Sequence, residues 1–466
     1  MKPIDVVIMA AGKGTRMKSS IPKVLHRLAG KALLQHVVDA VAGIQARRVV
    51  LVTGHGAEQV QAALLSSPPE TGPQRVAVLQ SPQLGTGHAV QQALPELADD
   101  GLTLVLSGDV PLTQPETLQA LIEASAGEHL ALLTLNLSQP TGYGRVVRNA
   151  QQVVQAIVEE KDATEAQRAL TEIYTGVLVA PTRDLRRWLG LLDNRNAQNE
   201  FYLTDVVKHA VAEGATVRSH TTPHAWEVAG VNSPAQLAEL ERVHQRRVAD
   251  ALMTQGVRLA DPARLDVRGH LTCEADVFID INAVFEGQVH LGEGVRIGPN
   301  CVLANCRIEA GAVIQAFTHI DGEKLGVSVG AGALVGPYAR LRPGAHLGPE
   351  VHIGNFVEVK NSTLAAGAKA NHLAYLGDAT VGERVNYGAG SITANYDGAN
   401  KHRTVIEADV HVGSNCVLVA PVTLGAGGTI GGGSTITKDT PAGALSVTRA
   451  KQVSLANWSR PVKTKP

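Results

Sequence analysis

Aromatic side chains make up only 3% of this 466-residue chain, and its four cysteines (Cys273, Cys301, Cys306 and Cys416) include no C-x-x-C pair. With so few rings, Leu, Val, Ile and Ala must fill the core, which suits a thin, repetitive architecture better than one large globule. The cysteine pattern fits neither a disulfide framework nor a zinc site and predicts a reduced, cytoplasmic protein. Charge is sparse and balanced, at 18% charged residues with a net charge of −1. No basic field exists to hold nucleic acid or an anionic membrane surface, although a local cluster of cations can still bind a small anion. No stretch of about 18 apolar residues occurs, so no membrane span is expected. Met1 to Ile8 carries neither a long apolar core nor a cleavage signature.

The chain does have length, which sets a prior of two domains, and it has 47 glycines. The first half alternates short apolar runs with helical spacing. Ile4 to Met9, Arg48 to Thr53, Leu102 to Leu106, Leu130 to Leu135 and Gly176 to Val179 read as strands, and Lys31 to Ala42 as a helix. Such alternation predicts a mostly parallel, doubly wound, Rossmann-like α/β sheet, whose ligands sit beyond the strand C-termini. From Ser233 to about Gln255, Leu237, Leu240, Val243, Val248 and Leu252 recur on one helical stripe among charged residues. The expected organisation is an α/β domain over 1–231, a connecting helix over 232–254, and a repeat domain with a C-terminal tail over 255–466.

In that last segment a period of six appears. Val329, Val335, Leu341, Leu347, Ile353 and Val359 are spaced six apart, as are Ile406, Val412, Leu418, Leu424, Ile430 and Ile436; Leu291, Ile297 and Leu303 form a weaker register. Each six-residue unit supplies one short strand and one corner, and stacked coils bury an aliphatic column that no single repeat could bury alone. The expectation is an all-β parallel β-helix. The rhythm is interrupted between Ile314 and Val329, between Val359 and Val381, and between Ile392 and Ile406. Interruptions in a solenoid are expected as surface loops, where binding sites gather.

Two constellations carry chemistry. In the first half, Met9-Ala10-Ala11-Gly12-Lys13-Gly14-Thr15-Arg16-Met17, then Pro22-Lys23, forms a Gly-rich turn directly after a strand. Backbone N–H groups there can approach phosphate oxygens, and Arg16 and Lys23 add positive charge. The Walker A spacing is absent. The run closely resembles the signature of the sugar-1-phosphate nucleotidyltransferases. Gln80 with Gln83 to His88, Gly108-Asp109 to Leu112, Thr141 to Arg145, Ile157 to Glu159, Asn199 to Asp205 and Gly230 to Asn232 match further segments of that family. The resemblance implies that Met9, Ala10, Ala11, Gly12, Lys23, Gln80, Gly85, Thr86, Ser107, Gly108, Asp109, Gly144, Glu159, Tyr174 and Asn232 contact UTP or UDP-N-acetylglucosamine. It also implies that Asp109 and Asn232 hold Mg²⁺, with Arg16 and Lys23 as the catalytic cations. Tyr174 departs from the family, which usually has Asn there contacting the sugar, and Ser107 replaces an aromatic residue seen in some members.

In the second half, His372 lies in the interruption after Val359, within Asn371 to Asp378, followed by Gly388 to Gly398. Acyl transfer from a thioester to an amine needs a base, and histidine has a suitable pKa. These segments resemble the site of the hexapeptide-repeat acetyltransferases. The resemblance implies a left-handed coil, a glucosamine 1-phosphate site at Arg342, Lys360, Tyr375 and Asn386, and an acetyl-CoA site at Ala389, Asn395, Tyr396, Ser414, Gly432 and Arg449. Gly432 stands where Ala is common. Glu358 is the expected orienter of His372, by analogy with the carboxylate of catalytic triads.

From about Ile4 to Pro461 the chain resembles the family of bifunctional N-acetylglucosamine-1-phosphate uridyltransferase / glucosamine-1-phosphate N-acetyltransferases. That implies acetylation of glucosamine 1-phosphate from acetyl-CoA, then uridylyl transfer from UTP to N-acetylglucosamine 1-phosphate, in a homotrimer that supplies peptidoglycan and lipopolysaccharide precursor. The competing reading is a single-activity sugar-1-phosphate nucleotidyltransferase whose coil is structural. His372, Lys360 and Asn395-Tyr396 speak against it.

Overall fold

A computed structural model describes residues 2–65 and 72–463; Met1, residues 66–71 and residues 464–466, the last three of the expected repeat domain, lie outside the described residues. The chain divides into two units, Met1–His244 and Gln245–Pro466. The division falls within the helix Pro234–Thr254. Its apolar stripe divides with it: Leu237, Leu240 and Val243 join a cluster with Leu33 and Val231, whereas Val248 and Leu252 pack in the core of the second unit.

Among the described residues the first unit is built on a nine-stranded sheet. Its main path runs Val217–Thr221, Leu130–Asn136, Glu172–Pro181, Leu102–Ser107, Ile4–Ala10, Arg48–Thr53, Gln74–Leu79. Ile4–Ala10 lies parallel to both neighbours. Continuous β-branched runs suit a strand covered on both faces. Val6 and Ile8 enter one core with the helices Leu33–Ala42 and Pro115–Ala124; Val7 enters the other, with Thr86–Ala93, Thr182–Leu189 and Asp205–Ala212. Asp5, the acid inside the buried first strand, is satisfied by Arg47 at 2.6 Å. The mostly parallel, doubly wound expectation holds along the main path with one exception, and the two strands off that path, Gly144–Arg148 and Val154–Val158, pair antiparallel. Glu172–Pro181 runs antiparallel to both of its neighbours in the path. Its register shifts between Tyr174 and Leu178, at Gly176, whose φ of +89° favours glycine. That bulge separates the legible half of the strand, Gly176–Val179, from the half that carries Tyr174.

The second unit stacks parallel strands into a coil with one continuous aliphatic column inside. Where the six-residue rhythm is regular, partners one turn apart are 18 residues apart, as in Val335–Ile353 and Leu341–Val359. The expectation of loops at the interruptions needs correcting after Val359. There the coil continues without a loop, through the strands Thr363–Leu364, Lys369–His372 and Tyr375–Gly377. Ile353 pairs with Ala370 and Val359 with Leu376, one residue short of a regular turn. A single missing residue at a corner shifts the apolar phase and hides the strands from a strict count of six. True insertions occur at Asp321–Gly326, where Ile314 pairs with Val335, and near Tyr396–Arg403, where Val381 pairs with Ile406.

Candidate active sites

In the first unit the chemistry collects at the C-terminal ends of Ile4–Ala10 and Leu102–Ser107, where a parallel sheet leaves strand ends open. A cleft of about 470 Å³ is lined by Met9 to Lys13, Lys23, Gln80, Gln83, Gly85, Thr86, Ser107, Asp109 and Glu200. Two glycines make the enclosure possible. Gly14 has φ +59°, and a Cβ on it would lie 2.7 Å from Cβ of Lys23; Gly85 has φ +112°, and a Cβ there would meet the Phe201 carbonyl at 2.6 Å. Gln83 donates to the Ala11 carbonyl at 2.9 Å and braces the loop. The Val231 N–H donates to the Asp109 carbonyl at 2.9 Å, which brings Asn232 alongside. Lys23 Nζ then donates to both Asp109 Oδ2 and Asn232 Oδ1, the latter at 3.1 Å.

These three residues are 86 and 209 positions apart along the chain. A carboxylate oxygen and an amide oxygen converge on one ammonium, and such oxygen donors also suit a hard divalent cation. Among the described residues no group of three or more His, Cys, Asp or Glu could hold an ion. A cation here would therefore take its remaining ligands from phosphate and water. Arg16 is exposed and does not line the cleft. Lys13, read only as part of the glycine motif, does line it.

A second compartment of about 220 Å³ shares Met9, Thr86 and Ser107 with the first and reaches Gly144, Glu159, Tyr174 and Thr204. Burial raises the Glu159 carboxyl above its ordinary range, against the hydrogen bond from Thr204 Oγ1 at 3.0 Å and with added repulsion from Asp205, Asp162 and Glu200. Burial, and then Glu159, push the Tyr174 phenol upward as well. Its hydroxyl is buried without a hydrogen-bond partner among the described residues.

In the second unit the register does the assembling. Ile353 pairs with Ala370, Ala370 with Tyr387, Tyr387 with Val412, and Val412 with Ile430. Two residues further along each strand, Asn355, His372, Ala389, Ser414 and Gly432 therefore form one file up a corner of the coil. His372 ends the strand Lys369–His372 and is exposed, rather than sitting in a loop. A Cβ on Gly432 would meet the Ser414 carbonyl at 3.3 Å, a tight but adjustable contact, so the departure from Ala alters little.

On the strands that follow this corner lie Lys360 and Tyr375, with Arg342 just past the strand Arg340–Leu341. Glu358 accepts from Arg342 at 2.9 Å and from Arg340 at 3.4 Å. The group on His372 Nδ1 is Asn355 Oδ1, at 2.7 Å. Glu358 thus orients cations, because its strand neighbours in register are Arg340 and Tyr375. Lys360 is held below its ordinary range chiefly by Lys401, then by burial and Arg342. Three cations sharing one neighbourhood suit a phosphate. Lys401, on the inserted loop, carried no signal in the six-residue pattern. Asn395 is buried and donates to Asp378, which also accepts from Asn361. Tyr396, Ser414 and Arg449 are exposed.

Fold and sites together define a two-unit transferase, a doubly wound nucleotidyltransferase followed by a hexapeptide-repeat transferase coil. The profile of the MobA-like NTP transferase domain family matches residues 6–176; those of the bacterial transferase hexapeptide (six repeats) and the hexapeptide repeat of succinyl-transferase match residues 270–305 and 403–438. The bifunctional protein GlmU of Polaromonas naphthalenivorans (strain CJ2) is 72% identical over 465 residues, covering 99% of this chain and 98% of the relative. That of Albidiferax ferrireducens is 68% identical (99% and 100%), and that of Cupriavidus pinatubonensis 57% identical (99% and 99%). The chain belongs to the bifunctional GlmU family.

Proposed function

We propose that the two units catalyse successive steps of UDP-N-acetylglucosamine synthesis. The unit Gln245–Pro466 acetylates glucosamine 1-phosphate from acetyl-CoA. The amine nitrogen attacks the thioester carbonyl, the C–N bond forms, the C–S bond breaks, and coenzyme A departs. His372 Nε2 takes the proton the amine loses. Arg342, Lys360 and Lys401 hold the phosphate, with Tyr375 and Asn386 on the sugar, while Ala389, Asn395, Tyr396, Ser414, Gly432 and Arg449 receive acetyl-CoA.

The unit Met1–His244 then joins N-acetylglucosamine 1-phosphate to the uridylyl group of UTP. The sugar phosphate oxygen attacks the α-phosphorus, and pyrophosphate leaves. A phosphate nucleophile needs no general base at neutral pH, so catalysis is positioning and charge neutralisation. Asp109 and Asn232 would hold Mg²⁺, which when bound neutralises phosphate charge. Lys23 shifts from its paired position onto phosphate oxygens, and the loop from Met9 to Gly12 supplies backbone donors. Gln80, Gly85 and Thr86 face the base, and Gly144, Glu159 and Tyr174 face the sugar. No helix among the described residues is long and apolar enough to cross a membrane, and we assign the enzyme to the cytoplasm as a homotrimer supplying cell-wall precursor.

The observation that carries this reading is the file of His372, Ala389, Ser414 and Gly432 together with the three cations. A purely structural coil has no need of it. Coenzyme A release from acetyl-CoA, with glucosamine 1-phosphate as acceptor, is the test. Release that depends on the amine is expected. No release would leave a single-activity nucleotidyltransferase with a structural coil.

A further inference from the structure

We propose that Asn355 is a positioning residue for acetyl transfer, fixing the tautomer and ring orientation of His372; the proposal rests on the reading of His372 as the base. His372 Nδ1 lies 2.7 Å from Asn355 Oδ1, a short separation for an N–H···O bond. An amide oxygen only accepts, so the ring must donate from Nδ1. A neutral imidazole has one N–H, and its lone pair is then confined to Nε2. Among the described residues Nε2 carries no hydrogen bond, so it is open to the amine.

The pair is built by the coil and not by a chance rotamer. Asn355 and His372 are direct partners in the ladder between His352–Asn355 and Lys369–His372. Gly354 lets the two strands close, because a Cβ there would sit 1.9 Å from the Asn371 carbonyl. The Leu373 N–H donates to the Asn355 carbonyl at 3.1 Å, and the Gly390 N–H to the His372 carbonyl at 3.3 Å, which fixes the backbone on both sides.

An amide in this place has a consequence that a carboxylate would not. It selects the tautomer without placing a charge beside the ring, whereas a carboxylate would also favour the imidazolium. Two titratable groups lie nearby, His352 and Lys369. His352, on the preceding coil, is lowered by burial and then by Lys369 and His372. Lys369 is on the strand of His372 itself, and the next strand of that face, Asn386–Tyr387, adds no charge. Glu358, the nearby acid in sequence, is engaged by Arg342 and Arg340.

The experiment is the pH dependence of acetyl transfer for the full chain and three variants, with coenzyme A release as readout. Asn355→Ala should lower kcat by roughly 10–100-fold, by analogy with the loss of an orienting partner at a metal-bound histidine, with KM for glucosamine 1-phosphate within about twofold. Asn355→Asp keeps shape and acceptor. It should recover most of the lost kcat near pH 8, with the acid limb of kcat/KM moved up by about one pH unit. Uridylyl transfer by the same preparations reports folding. A kcat for Asn355→Ala within twofold of the parent overturns the proposal. So does an Asn355→Asp variant as impaired as Asn355→Ala with an unmoved acid limb, because the amide is then not an acceptor. His372→Gln separates the two layers. If it retains acetyl transfer, the base assignment itself is wrong; if it is inactive while Asn355→Ala is unaffected, only the positioning role falls.

Discussion

The two units solve the problem of holding a phosphate in opposite ways. In the doubly wound unit, Lys23 is already paired with Asp109 and Asn232, and its side chain is only 14% exposed. The cations of the coil crowd one another, and Lys360 is depressed chiefly by Lys401. The first site must exchange partners when substrate and cation arrive. The second is under-neutralised until a phosphate enters. A sheet gathers residues from distant turns and can pair them internally. In the coil Arg342 is paired with Glu358, but the inserted loop brings Lys401 against Lys360, and that like-charge pair is left for the substrate's phosphate to neutralise.

The sharpest way to break this comparison is His372→Ala. Acetyl transfer should fall by about 10²–10⁴-fold, the usual share of a general base, with uridylyl transfer unchanged. Equal loss of both would show that the units do not work separately. Asp109→Ala should reduce uridylyl transfer by on the order of 100-fold or more and leave acetyl transfer intact, since it removes charge complementarity at the phosphates. Full uridylyl activity in Mg²⁺ would remove Asp109 from the metal site. Lys401→Ala should raise KM for glucosamine 1-phosphate roughly tenfold with kcat nearly unchanged, as expected for one charge-assisted contact made in both ground and transition states. A fall in kcat at constant KM would instead place Lys401 on the reacting centre.

Glu159→Gln tests the electrostatics of the sugar compartment through stability. Burial raises the folded-state pKa of Glu159. As pH rises through the ordinary carboxylate range, the unfolded chain ionises first and the fold is disfavoured. The variant should therefore melt higher than the parent at pH 7, with the difference closing as pH falls below that range. A difference that persists in acid would mean the effect is packing, not charge. The smallest expected effect is at Tyr174. Tyr174→Phe removes a hydroxyl with no partner in the fold, so thermal stability should hold or rise. If the sugar satisfies that hydroxyl, KM for N-acetylglucosamine 1-phosphate should rise by about fivefold, the worth of one neutral hydrogen bond. An unchanged KM would show that the phenol serves only to fill space.

Much of the sheet was legible because its strands are continuous aliphatic runs bounded by turns, as in Ile4 to Met9. The glycine motif was legible because phosphate binding demands small residues at fixed spacing. The coil was legible wherever six divides its turns. It failed after Val359, where a corner lost one residue and a strand was read as a loop. The antiparallel strand was half-hidden for a similar reason: its bulge at Gly176 breaks the pattern just after Tyr174.

By itself, then, the sequence determined the local grammar: strand, turn, helix and six-residue coil, with the residue types that phosphate and acyl chemistry require. Only the tertiary structure decided partnerships. It joined Lys23 to Asp109 and Asn232, gave Glu358 to two arginines, brought Lys401 to Lys360 and set Asn355 against His372. Side-chain contact depends on ladder register and strand ends, which link positions from 16 to more than 200 residues apart. A local pattern carries no record of such distances.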